Sequence, residues 1–153
     1  MKRKLSLRIQ PAPSNGYDSH RSWNMSRIRG TGTLPERTVL NLIKATGYSV
    51  RRNARELPGT PDIVLSGKHV AVFVHGCYWH RHRNCGNCTI PTANRQFWVA
   101  KFADNVRRDN RIRRKLQRMG WKTCVIWECE TENSRRLTVA LKRVARAAAS
   151  PQS

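Results

Sequence analysis

The chain alternates stretches whose apolar residues recur at helical spacing with short runs of consecutive apolar residues, separated by Gly- and Pro-containing breaks. Val39, Leu42 and Ile43 form an apolar stripe, Thr33 and Glu36 fit a capping box, Pro35 lies in the first turn, and Gly47 ends the pattern. Together they predict a helix beginning at Thr33. Tyr48 to Arg52 allows a short strand. After the Pro58-Gly59-Thr60-Pro61 turn, Asp62 opens the run Ile63-Val64-Leu65, and Ser66-Gly67-Lys68 reads as a hairpin turn into Val70-Ala71-Val72-Phe73-Val74. That continuous, β-branched run is typical of a buried strand, and His75 lies at its end. Residues 76–92 form a Cys- and His-rich loop. A long helix is expected from about Asn94 to Met119, a strand from Lys122 to Trp127, and a terminal helix from about Ser134 to Ala149. This order indicates an α/β fold, a mixed central β-sheet flanked by helices.

Composition narrows the picture. Residues 1–30 mix Lys, Arg, Pro, Ser, Asn and Gly without periodicity and read as a basic N-terminal arm, disordered without a partner, ahead of one folded domain over residues 31–150. Thirty Lys and Arg stand against nine Asp and Glu, a formal charge of +21. Self-repulsion of that size opposes folding, so the surplus points to a polyanion. Nucleic acid fits best, because neutralising phosphates releases counterions, and a membrane surface is the rival. No apolar stretch approaches the length of a transmembrane helix, and no apolar run follows the basic start, so a cytoplasmic protein is expected. Five cysteines, an odd number, suit metal ligation or core packing better than disulfides in that compartment.

The densest chemistry lies in His75-Gly76-Cys77-Tyr78-Trp79-His80-Arg81-His82-Arg83-Asn84-Cys85-Gly86-Asn87-Cys88, with Cys129 just beyond the last strand. Zn²⁺ takes four thiolate or imidazole donors in a closed structural site, and Cys77, His82, Cys85 and Cys129 would supply them. Such a site would pin an irregular loop to the far end of the sheet. Cys88 completes a Cys85-x-x-Cys88 pair and could stand in for His82, while free thiols are the plainer reading. Cys124 alternates within an apolar strand and reads as core.

If His82 serves the metal, His75 and His80 remain free beside it. Antiparallel pairing across the Ser66 to Lys68 turn would bring Asp62 close to His75. A carboxylate and two imidazoles could then converge, offering an oxygen ligand for Mg²⁺ and groups that move a proton during phosphodiester hydrolysis. The competing reading of Asp62 is an ordinary turn aspartate. On the long helix, Val99, Phe102, Val106 and Leu116 trace an inward stripe on which Asp109 falls. An inward aspartate needs a partner, either a histidine whose tautomer it would fix or one of Arg107, Arg108 and Arg111.

Taken together these residues resemble the very short patch repair endonucleases, the mismatch-nicking branch of the PD-(D/E)xK nuclease superfamily. The resemblance runs from about Trp23 to Glu130. Its carriers are Asn24-Met25, Pro58 to Val64, His75 to His80, Gln96-Phe97-Trp98, Asn105 to Asp109, Gly120-Trp121 and Trp127-Glu128-Cys129. It implies a restriction-endonuclease-like fold with a structural zinc site. It also implies that Asp62 and the Val74 carbonyl contact a catalytic Mg²⁺, that His75 and His80 are catalytic, and that Asp109 pairs with His80. Glu36 corresponds to an acidic residue reaching the metal through water, in competition with its capping role. Tyr78, Trp79 and Trp98 would form an aromatic wedge entering the DNA stack, with Met25 and Ile28 approaching the opposite groove. Core packing is the other reading of Trp98.

The implied substrate is double-stranded DNA carrying a T:G mismatch left by deamination of 5-methylcytosine, nicked 5′ of the thymine by a monomer. Other mismatch-repair proteins would be further partners, and nucleoid association follows from DNA binding. Tyr78 departs from a phenylalanine frequent in that family, and Cys88 is an addition. Two other classes compete. A zinc-dependent DNA-binding protein without catalysis would explain the charge and the loop but not Asp62, His75, His80 and Asp109. A general restriction-type nuclease would explain those residues but not the aromatic ones.

Overall fold

A computed structural model describes residues 31–151, so the expected basic arm, with Met25 and Ile28, lies outside the described residues. Helix α1 spans Leu34–Ala45. The predicted cap forms, though not as a full capping box: the Thr33 hydroxyl accepts from the Glu36 N–H at 3.4 Å, while the Glu36 carboxylate accepts from the Gly32 N–H at 2.6 Å, rather than from the Thr33 N–H, and from the Thr33 hydroxyl at 3.0 Å. The buried face is Glu36, Val39, Leu40 and Ile43, whereas Leu42 is 38% exposed. Positions i, i+3, i+4 and i+7 define that face, and Leu42 falls on its flank, contrary to the stripe expected from sequence.

Strands β1 (Val50–Arg52), β2 (Ile63–Leu65), β3 (Val70–His75) and β4 (Lys122–Trp127) form one mixed sheet in the order β1-β2-β3-β4. The first two pairings are antiparallel and β3 runs parallel to β4. Because Leu65 pairs with Val70, four residues join β2 to β3 rather than a tight two-residue turn. Ser66–Lys68 form a 3₁₀ turn, and His69 closes it in the left-handed conformation at φ 49°. The parallel β3–β4 pair requires a crossover, which contains the short helical turn α2 (Cys77–His80) and the long helix α3 (Arg95–Arg118).

Strand alternation sorts the core into two layers. Ile63, Leu65, Val70 and Val72 face α1 and the last helix, α5 (Ser134–Ala149), which buries Leu137, Ala140 and Val144. Val64, Ala71 and Phe73 face the other way, onto Ala54, Leu57 and Leu116 of α3. Burial on both faces is why β3 reads as an unbroken apolar run. Lys122 ties the end of α5 down, its ammonium donating to the carbonyls of Ala147, Ser150 and Pro151 at 3.3, 2.6 and 2.9 Å.

The inward face of α3 is Trp98, Phe102, Asn105, Asp109, Ile112 and Leu116, at successive helical spacings of four and three. Val99, expected on it, is 46% exposed because it sits about 100° around the helix from Trp98. Ile112 backs directly onto the turn that precedes Asp62. Gly59 there has φ +78°, and a Cβ built on it would lie 2.4 Å from Ile112 Cγ2. Gly59→Ala is therefore expected to lower stability by about 1–3 kcal/mol through overpacking and backbone strain. Gly67→Ala, with open space around it, should leave the urea midpoint nearly unchanged.

Candidate active site

Asp62 sits immediately before β2, beside the far end of β3, as antiparallel pairing requires. Its Oδ2 accepts the Val74 N–H at 2.8 Å, fixing the carboxylate against the strand end one residue before His75. The chain does not then run on as plain loop, as expected over residues 76–92. Gly76 caps one helical turn, α2, in which the His80 N–H donates to the Gly76 carbonyl at 3.1 Å. That turn folds the His80 ring back over His75, with centroids 3.8 Å apart and planes 13° from parallel.

His80 Nδ1 lies 2.5 Å from Asp109 Oδ2, both side chains being one-fifth exposed. Of the rival partners for Asp109, Arg108 reaches its other oxygen at 3.7 Å, and Arg107 pairs instead with Asp104. Burial alone would raise the Asp109 carboxyl, but the His80 hydrogen bond, followed by the charges of His80, His75 and Arg108, takes it below the usual range. An ionised carboxylate only accepts, so His80 Nδ1 is the donor and Nε2 is the ring nitrogen left with a lone pair. Burial, reinforced by His80, pushes His75 down to about 3, leaving it neutral near pH 7.

Burial pushes Asp62 up to about 6, an effect opposed by the Val74 N–H and reinforced by the negative charge of Glu36. Glu36 is 7% exposed, so its capping role and its electrostatic reach to Asp62 coexist. Asp62, Val74, His75, His80, Asp109 and Glu36 are thus linked by hydrogen bond, ring contact, chain adjacency or field.

A second cluster gathers residues from the start of α2, the loop after it and the turn after β4. The donor atoms of Cys77, His82, Cys85 and Cys129 all fall within 4.8 Å of one another. His82 Nδ1 is 3.7 Å from Cys77 Sγ and 3.4 Å from Cys129 Sγ. Cys88 lies outside this set of four but beside Cys85, its thiol donating to the carbonyls of Cys77 at 2.9 Å and His82 at 3.2 Å. Cys129 belongs to a short turn, α4 (Glu128–Thr131), and the His82 ring stacks on Trp127 at 4.3 Å. Sequence reasoning missed what holds this turn: Glu130 accepts the Trp127 N–H and a two-pronged bond from Arg143, each at 2.9 Å, and Arg143 also donates to the Val125 carbonyl. Thirteen residues separate Glu130 from Arg143, with no local signal joining them.

Tyr78, Trp79 and Trp98 are half-buried around Phe102, with Tyr78 edge-on to Phe102 at 5.0 Å and Trp98 tilted on it at 5.7 Å. Asn105 donates to the Trp79 carbonyl at 3.2 Å.

The family described as DNA mismatch endonuclease Vsr matches residues 16–87. A protein named type II nicking enzyme V.NmeAIP, from Neisseria meningitidis serogroup A, is 38% identical over 84% of this chain and 91% of its own length. The type II nicking enzyme V.XorIIP of Xanthomonas oryzae pv. oryzae is 36% identical over 81% of this chain and 90% of its own. The DNA mismatch endonuclease Vsr of Escherichia coli K12 is 36% identical over 77% and 75%, respectively. The chain belongs to the Vsr family. Its sheet and flanking helices are the family's restriction-endonuclease-like fold, and membership makes it a nuclease, a DNA-binding hydrolase of phosphodiester bonds. No helix among the described residues is long and apolar enough to cross a membrane.

In this Vsr-family site the charge on Asp62 opposes folding. Its folded pKa stands above the unfolded value, so its stabilising contribution is complete below about pH 4 and is lost as pH rises through about 6. Asp62→Asn, which still accepts the Val74 N–H, is expected to raise stability at pH 7.5 by about 1–3 kcal/mol, a gain that shrinks to nothing by about pH 4 in thermal melts.

Proposed function

We propose that the protein nicks double-stranded DNA on the 5′ side of the thymine in a T:G mismatch left by 5-methylcytosine deamination, initiating very short patch repair. The observation that carries this reading is the stacked His75–His80 pair, braced by Asp109, next to the buried Asp62 carboxylate. The names of the relatives, a mismatch endonuclease and nicking enzymes, support the substrate.

The donors suit Mg²⁺, which takes hard oxygen ligands: a buried carboxylate is destabilised here by a second carboxylate, Glu36, and a cation would relieve both. Asp62 and the Val74 carbonyl would hold it, with Glu36 acting at longer range. When bound, the cation supplies positive charge against the charge building on the phosphate oxygens. His80 Nε2 takes the proton from the attacking water, while Asp109 keeps Nδ1 protonated and stabilises the cation that forms on the ring. His75, neutral throughout, donates an N–H to a phosphate oxygen and shares the developing charge.

The second cluster suits Zn²⁺. A tetrahedral zinc with bonds of about 2.1 Å to nitrogen and 2.3 Å to sulfur needs those donors about 3.5 Å apart, and the two His82 spacings bracket that value. Cys77, His82, Cys85 and Cys129 would hold it, fixing the loop against α4. Tyr78, Trp79 and Trp98 enter the stack at the mismatch, where unstacking costs least. The charge of +21 binds the duplex backbone, and the protein acts as a cytoplasmic monomer.

Mapping the nick on T:G and fully paired duplexes, with Mg²⁺ and with EDTA, tests the reading. Cleavage 5′ of the mispaired thymine, dependent on Mg²⁺, is expected, and Asp62→Ala should abolish it while binding persists. Equal cleavage of both duplexes would make this a general nuclease, absence of cleavage a binding module, and nicking by Asp62→Ala would remove the residue from the mechanism. Elemental analysis separates the zinc ligands: His82→Ala should lose the metal and melt earlier, whereas Cys88→Ser should keep it. The reverse pattern would transfer that role to Cys88.

A further inference from the structure

Arg81 stands between two histidines that serve different clusters, His80 toward Asp109 and His82 toward the thiols. It caps α2 in the left-handed conformation, at φ 56° and ψ 62°, which sends its side chain to neither cluster. The guanidinium instead crosses to the returning limb of the loop, donating from Nη1 to the Thr89 carbonyl at 3.1 Å and from Nη2 to the Cys88 carbonyl at 2.7 Å. Its Cζ lies over the Phe102 ring, 4.6 Å from the centroid. No carboxylate lies within ion-pair distance of it among the described residues. This half-buried cation is therefore spent on two carbonyls and a ring.

Phe102 is 3% exposed and is the ring against which Tyr78, Trp79 and Trp98 all lean. We propose that Arg81 is a positioning residue for mismatch selection: by clamping residues 88–89 and the Phe102 ring together, it holds Tyr78, Trp79 and Trp98 in the arrangement that enters a destabilised base pair. The inference rests on the aromatic wedge described above. Selection of this kind depends on a rigid wedge, because ordering loose rings on binding consumes the few kcal/mol that separate a mismatch from a paired step. A fork with a flat, stackable face is needed, which an ammonium cannot supply. The His80–Asp109 pair is braced independently by α3 and the Gly76 carbonyl, so the chemical step does not depend on the clamp.

The test uses the full-length protein, wild type against Arg81→Lys and Arg81→Ala, in steady-state nicking of T:G and fully paired duplexes, with zinc content and salt dependence measured for each. For both variants the KM on T:G DNA is expected to rise about tenfold, with kcat within about twofold, zinc retained and affinity for paired DNA unchanged. Arg81→Lys should fail like Arg81→Ala, although it preserves the charge and is the variant less prone to misfold. An unchanged KM in Arg81→Lys overturns the proposal, as does loss of zinc from that variant, which would make the clamp a support of the metal loop. Equal weakening on both duplexes with a shallower salt slope in Arg81→Ala overturns it in favour of a direct phosphate contact. A wild-type protein with no preference for T:G DNA would instead defeat the mismatch reading, and this inference with it.

Discussion

The candidate site hangs from the end of one strand. β3, like its neighbour β2, is paired on both edges and buried on both faces, which constrains it tightly. Its last residues pass that constraint on. Val74 fixes Asp62 through a backbone N–H, His75 projects where the strand stops, and Gly76 starts the helical turn that returns His80 onto His75. Positional accuracy of this kind comes cheaply when reactive groups sit at the terminus of a rigid element rather than within a long loop.

From Cys77 to His82 the side chains divide among different neighbours. Cys77 and His82 join the thiol cluster, Tyr78 and Trp79 join the aromatic rings, and His80 joins Asp109. One helical turn followed by a left-handed residue divides the segment among three surroundings, because successive positions on a turn point about 100° apart. The histidine pair, the aromatic rings and the thiol cluster thus share a common scaffold of a few residues. Around it the charges are arranged unequally: the His80 hydrogen bond takes Asp109 below the usual carboxylate range, whereas the Val74 N–H offsets only part of the burial that raises Asp62.

Much of this was legible in the sequence because local signals agreed with the final packing. The cap at Thr33 marked the start of α1, and the apolar run of β3 with antiparallel pairing brought Asp62 to the end of β3, against Val74 and next in sequence to His75. The inward helical position of Asp109 called for a partner but left a histidine and three arginines open, and the family resemblance singled out His80, which the structure pairs with it. What escaped detection depends on chain reversals that no periodicity announces. The α2 turn hides in a segment dominated by Cys and His, and the thiol of Cys88 differs from that of Cys85 only through the carbonyls it finds. Likewise, Leu42 and Val99 are apolar at plausible spacings, yet each lies one step off the buried face, a distinction drawn by neighbouring helices and rings rather than by the helix itself.

The inward stripe of α3 carries rings at its start, a carboxylate in its middle and core anchors at its end, all on one continuous rod roughly 27 Å long from Trp98 to Leu116. Adding or deleting a single residue inside that rod would turn everything beyond it by a quarter of a circle or more, uncoupling the rings from the carboxylate, or the carboxylate from the sheet. Lengthening is better tolerated around residues 90–94, beyond Cys85 and the carbonyls that Arg81 holds, than within α3, where only the exchange of one side chain for another keeps the stripe aligned.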